Sequence, residues 1–157
     1  MERSLKDTLV GSGFGRVNAA RSKTMSSIRS NGNRTTEVSM RMLMVRSGVS
    51  SWRMNNLTIE GKPDFFFPAA RVAIFVDGCF WHCCPRCGHF PKTRSVFWRA
   101  KLVSNKLRDQ RTSLNLKTKG IRVIRIWEHA LTNIVNQKTV VNRIRKVIGT
   151  RRPNYEK

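Results

Sequence analysis

At 157 residues with 39% hydrophobic side chains, the chain is long enough for one domain with a core of its own, and no apolar run approaches the length that would span a bilayer. Its 31 Lys and Arg against 9 Asp and Glu leave a net charge of +22, and no basic amphipathic helix with an aromatic face appears, so nucleic acid fits better than a membrane surface. Phosphate neutralisation releases counterions and drives such binding without sequence preference.

Residues 1–33 are rich in Ser, Gly, Asn, Arg and Lys and read as a basic, flexible arm; residues 34–150 read as the folded domain and 151–157 as a basic tail. The arm shows no signal-peptide pattern, Leu9-Val10 being its only apolar pair before Gly11. A cytosolic, reducing setting is the expectation, and there clustered cysteines serve as metal ligands rather than disulfides.

Thr35 or Thr36 caps a helix whose first turn holds Glu37, near the positive end of the helix dipole, and Gly48 closes it. Val38, Met42, Leu43 and Val45 suggest its buried stripe. A strand is expected over Val49 to Asn55, with Trp52 as a core anchor. Pro63 then fixes the entry to a short buried strand, Phe65 to Phe67, and Pro68-Ala69-Ala70-Arg71 turns the chain into a second, Val72 to Val76. This hairpin puts Asp64 beside Asp77, an arrangement similar to the divided acid motif of restriction-endonuclease-like nucleases. Two carboxylates so placed can hold a hard divalent cation, which polarises a phosphodiester and activates water. Cys79 stands where that motif has its lysine.

All four cysteines follow within nine residues: Cys79, Cys83, Cys84 and Cys87, the last two as a Cys-Pro-Arg-Cys knuckle. Tetrahedral zinc with three thiolates needs one more ligand. His129, just beyond a strand from Ile121 to Trp127, could return to the loop to supply it. Between these elements a long helix runs from Arg94 to Lys119, where Val96, Ala100, Val103, Leu107 and Leu114 suggest the core stripe. Trp98, Leu102, Asn105 and Asp109 form a neighbouring stripe that could aim Asp109 at a catalytic imidazole. A last basic amphipathic helix is expected from Lys138 to Ile148.

With these residues in place, the chain closely resembles the very short patch repair endonuclease (Vsr) family of bacteria. The resemblance runs from Ala20 to Leu131 and rests on Arg21-Ser22-Lys23-Thr24-Met25, Gly61 to Phe65, Phe75 to His82, Pro91 to Arg94, Phe97-Trp98, Asn105 to Asp109 and Trp127 to Leu131. It implies an α/β, restriction-endonuclease-like fold, a central mixed sheet flanked by helices, with a structural zinc loop. It implies an enzyme that nicks one strand of duplex DNA 5′ to the thymine of a T:G mismatch left by deaminated 5-methylcytosine.

Carried onto this sequence, Asp64 and the backbone carbonyl of Val76 would ligate magnesium, with Asp77 as a ligand or water positioner and Glu37 as a further acid of the site. His82 would be the general base, oriented by Asp109. Phe80, Trp81 and Trp98 would wedge beside the mismatch. Met25, Arg21 and Lys23 of the arm would cross the minor groove, and Arg94 and Lys101 would meet the backbone. Cys79, Cys84, Cys87 and His129 would hold structural zinc. The resemblance further implies a cytoplasmic, nucleoid-associated monomer acting alongside mismatch-repair proteins and a cytosine-5 methyltransferase. Two other readings use the same scaffold: a non-catalytic, zinc-stabilised DNA-binding protein, and a nuclease of a mobile element.

Overall fold

The computed structural model describes residues 36–54 and 56–149; the basic arm with Arg21, Lys23 and Met25, and the tail from residue 151, lie outside them. The chain order is α1 (Thr36–Arg46), β1 (Arg53–Met54), β2 (Phe65–Phe67), β3 (Val72–Asp77), α2 (Ser95–Thr118), β4 (Arg122–Trp127), a 3₁₀ turn (Glu128–Leu131) and α3 (Ile134–Gly149). The strands form one mixed sheet in the order β1-β2-β3-β4. β2 and β3 make the expected antiparallel hairpin, with Phe65 opposite Ile74. β4, reached through α2, pairs parallel to β3 with Asp77 opposite Trp127. Among the described residues no helix is long and apolar enough to cross a membrane.

Strand alternation sorts the core into two faces. Phe65, Phe67, Val72, Ile74, Ile124 and Ile126 point to one side, where Met40 and Met44 of α1 and Val140, Val141 and Ile144 of α3 cover them. Phe66, Ala73 and Phe75 point to the other, against Leu116 of α2 and Ile121. Each face removes several large apolar side chains from water, at about 25 cal/mol per Å².

Two helices bury a different stripe from the one the sequence suggests. In α1 the inward residues are Thr36, Glu37, Met40 and Met44, while Val38, Met42 and Val45 are exposed. Apolar side chains surround that helix, so periodicity could not choose a face; the sheet chooses the one with two flexible methionines. In α2 the expected stripe is outward, Val96, Val103, Leu107 and Leu114 all being exposed, and Leu102, Asn105 and Leu116 are buried instead. Polar Asn105 faces inward because its amide donates to the Trp81 carbonyl at 3.1 Å. The first strand is also shorter than expected, since Trp52 spends its indole N–H on the Val49 carbonyl (2.9 Å) and packs edge-on against Phe65. α3 starts at Ile134 rather than Lys138, because Asn133 caps it by accepting the Asn136 N–H at 2.9 Å.

Candidate active site and metal centre

The chemistry gathers at the carboxyl ends of β3 and β4. Because the strands are parallel and Asp77 sits opposite Trp127, Cys79 and His129, each two residues further on, leave the sheet side by side. His129 Nδ1 lies 3.3 Å from Cys79 Sγ, 3.5 Å from Cys84 Sγ and 3.4 Å from Cys87 Sγ. The sulfurs of Cys84 and Cys87 are 3.5 Å apart, and all four donor atoms lie within 4.8 Å of one another. A tetrahedral ion with bonds near 2.3 Å to sulfur and 2.05 Å to nitrogen has edges of about 3.5–3.8 Å. One ring nitrogen cannot satisfy three thiols, so the set fits a shared central cation, and the cluster could hold a metal ion.

The backbone shapes this knuckle. Cys84 N–H donates to the Cys79 carbonyl at 2.9 Å and Gly88 N–H to the Cys84 carbonyl at 2.8 Å. A Cβ on Gly88 would stand 2.5 Å from that carbonyl oxygen, so only glycine closes the turn. Cys84 is buried inside the set; half-buried Cys83, with φ of 53°, is not one of its members. Glu128, the residue before His129, accepts the Cys79 N–H at 3.2 Å and ties the loop to the end of β4.

Beside the knuckle lies a cleft of acids and one imidazole. Asp64, just before β2, accepts the Val76 N–H at 2.6 Å, which bolts it to the end of β3. Burial pushes its carboxyl up to about 6 from the ordinary 3.8; the Val76 bond opposes the shift, and negative charge on Glu37 and Asp77 adds to it. Glu37 itself is buried in the first turn of α1. A buried carboxylate that lies near two other acids is a natural ligand for a hard cation, which relieves the cost of its charge.

His82 Nδ1 meets Asp109 Oδ2 at 2.5 Å, joining the cysteine loop to α2. Burial works against the charge of Asp109, but the His82 bond and the Arg125 guanidinium outweigh it and hold the carboxyl below its ordinary value. Asp77 is 2% exposed, and both its oxygens are engaged by Arg125, from Nε at 2.6 Å and Nη2 at 2.7 Å. Sequence reasoning missed Arg125. The available signal was an arginine within Val123-Ile124-Arg125-Ile126, where a buried strand demands a counter-charge.

Between the cysteine loop and α2, Phe80 packs edge-on against Trp81 (centroids 5.1 Å apart) and Trp98 (5.4 Å), with Trp81 and Trp98 at 6.0 Å. All three rings are half-buried. Arg94 and Lys101 are exposed, Arg94 as the N-cap residue just before α2, where its carbonyl accepts the Trp98 N–H.

The family model described as DNA mismatch endonuclease Vsr matches residues 16–87. The type II nicking enzyme V.NaeI of Lentzea aerocolonigenes is 38% identical over 118 residues, covering 72% of this chain and 70% of that one. The DNA mismatch endonuclease Vsr of Escherichia coli K12 is 37% identical over 116 residues, covering 72% of each chain. The type II nicking enzyme V.XorIIP of Xanthomonas oryzae pv. oryzae is 36% identical over 113 residues, 70% of this chain and 80% of that one. This chain belongs to the Vsr family of DNA endonucleases. Of the residues expected to act in a Vsr-type site, Asp64, Val76, Asp77, His82 and Asp109 lie together at the strand ends, and Phe80, Trp81 and Trp98 stand in one aromatic cluster.

Proposed function

We propose that this protein is a magnesium-dependent endonuclease that nicks one strand of duplex DNA 5′ to the thymine of a T:G mismatch, with structural zinc held by Cys79, Cys84, Cys87 and His129. The observation that carries the reading is that Asp64, bolted to Val76, and the His82–Asp109 pair both adjoin Asp77 at the end of β3. The names of the relatives, nicking enzymes and a mismatch endonuclease, support the reaction type.

Asp64 and the Val76 carbonyl would hold magnesium, with Glu37 adding negative charge nearby. Bound there, magnesium supplies polarisation of the scissile phosphodiester and a more acidic water. His82 acts on the water through Nε2, since Nδ1 is committed to Asp109. Asp109 fixes the orientation of the ring and stabilises its positive charge once the proton has moved. The loop from Cys79 to Cys87 spans Phe80, Trp81 and His82, so zinc held by Cys79, Cys84, Cys87 and His129 would also stiffen the segment that carries the base and the aromatic wedge.

Affinity for the duplex comes from the net charge of +22, with Arg94, Lys101 and the arm residues Arg21, Lys23 and Met25 along the backbone and grooves. Preference for the mismatch comes from the rings, because a mispaired step unstacks more cheaply than a paired one. The test is to incubate the purified protein and magnesium with labelled duplexes carrying T:G, T:A or C:G at one position and to map the products. A single-strand nick 5′ to the mispaired thymine is expected. Tight binding without nicks in magnesium or manganese would establish the DNA-binding reading instead.

A further inference from the structure

We propose that Arg125 is a positioning residue of the nuclease site and that Asp77 is its counter-ion rather than a magnesium ligand; the catalytic part of this inference rests on the nuclease reading above. Strand alternation brings the two together. Ala73, Phe75 and Asp77 of β3 share the face toward α2, as do Val123 and Arg125 of β4, and Phe75 is the register partner of Arg125. The Arg125 side chain therefore crosses Phe75, with its guanidinium carbon 5.1 Å from the ring centroid, and reaches Asp77 one step further along β3.

There the guanidinium joins two carboxylates. Nε and Nη2 grip Asp77 at 2.6 and 2.7 Å, and Nη2 also stands 3.3 Å from Asp109 Oδ2. Nη1 donates to the Asp109 carbonyl and to Ser113 Oγ, each at 3.4 Å, which holds the group against α2. The same Asp109 Oδ2 meets His82. A continuous chain thus runs Asp77–Arg125–Asp109–His82, from the centre of the sheet to the imidazole.

Two consequences follow. For Asp77 to ligate a cation it would have to give up a two-pronged, charge-assisted pair and leave a guanidinium beside the metal. The metal site then falls to Asp64 and the Val76 carbonyl, while Asp77 holds Arg125. Arg125 in turn fixes both the backbone and the side chain of Asp109, so that the imidazole meets its partner in one geometry. Groups that orient a reacting residue in this way typically change its performance by about 10–100-fold.

Removing Arg125 alone would strand the Asp77 charge in the interior, so the informative variants are Arg125→Lys, which keeps the charge but loses the fork, and the neutral pair Asp77→Asn/Arg125→Gln. With Asp64→Asn as control, three quantities are read on the T:G duplex: kcat, Kd and the half-saturating magnesium concentration. A fourth is read without DNA or magnesium, the ring-nitrogen NMR signals of His82 in zinc-loaded protein. The expected result is a kcat lowered by about 10–100-fold in the neutral pair and less in Arg125→Lys, with Kd and half-saturating magnesium within twofold and the His82 signals shifted or broadened.

An unchanged kcat with unchanged His82 signals in the neutral pair would overturn the proposal. So would a tenfold or greater rise in half-saturating magnesium in the neutral pair that Arg125→Lys does not share, since Asp77 would then be the ligand. If the unmodified protein never nicks, or Asp64→Asn nicks as well as it does, the nuclease reading fails. A His82 signal that still responds to Arg125 would keep the positioning chain standing in that case.

Discussion

The cysteine knuckle and the acid cleft sit side by side past the same two strands, yet they are built on opposite principles. In the knuckle, three sulfurs crowd one imidazole nitrogen at 3.3–3.5 Å, an arrangement that protein hydrogen bonds alone do not satisfy. In the cleft, the donors already have protein partners: Asp64 has the Val76 N–H, His82 has Asp109, and Asp77 has Arg125. A site whose donors need a common ion gains its order from that ion, and the binding energy becomes folding energy. A site whose groups are held in advance is ordered before the reaction and costs no rearrangement when charge develops. The first region should therefore report on stability and the second on rate.

The largest effect should come from breaking the knuckle. Cys87→Ser should release zinc and lower the melting temperature well beyond any cleft substitution, since structural zinc sites carry apparent binding energies of about 10–16 kcal/mol in small domains. Metal analysis of reduced protein together with a thermal scan checks this, and full stability without zinc would remove the distinction between the regions.

His82→Ala should leave the melting temperature near its original value but lower single-turnover nicking by about a hundred-fold or more, as for loss of a general base. Asp109→Asn should show a milder loss of the same kind, because it orients the ring rather than carrying the proton. Equal losses in binding and in rate would mean that His82 serves the fold.

A third prediction concerns the strain that the cleft accepts. Burial pushes the Asp64 carboxyl up to about 6 from an ordinary 3.8, so the folded state binds that proton more tightly than the unfolded chain does. Its contribution to stability is therefore greatest at low pH, declines as pH rises from 3.8 to about 6, and is fully lost above that. The difference corresponds to at most about 3 kcal/mol. In magnesium-free buffer at neutral pH, Asp64→Asn should raise the melting temperature, and the gain should vanish at pH 4. In the unmodified protein, half-saturating magnesium should rise as pH falls through 6, because proton and cation compete for one carboxylate.

Smaller still is the effect of the wedge. Phe80→Ala should leave affinity for matched duplex nearly unchanged and reduce the preference for T:G by about 1–3 kcal/mol, the scale of one base–ring stack. Competition binding with T:G and T:A duplexes at a stated salt concentration measures it.

The sequence carried much of this. Alternation in Phe65-Phe66-Phe67 and Val72 to Asp77, with a Pro-Ala-Ala-Arg turn between, defines the hairpin that brings Asp64 to the end of β3. Parallel pairing of the two strands then accounts for His129 reaching Cys79, although that register is a property of tertiary structure and not of either strand alone. The helices were harder to read. Methionine, leucine and valine encircle α1, and the outer face of α2 carries Val96, Val103, Leu107 and Leu114, so hydrophobic spacing pointed away from the sheet. The true inward face of α2 runs through Asn105 and Asp109, polar residues whose reason to face inward is a loop carbonyl and an imidazole. Arg125 escaped notice because one more arginine among 31 basic residues reads as surface. Only strand pairing shows that it lies beneath α2.

The most direct measurement is magnesium-dependent nicking of a T:G duplex by Asp64→Asn, read beside its zinc content and its affinity for the same duplex. The account predicts no nicked product, with zinc retained and mismatch binding preserved, because neither the knuckle nor the aromatic wedge depends on that carboxylate. Nicking at the rate of the unmodified protein would contradict it.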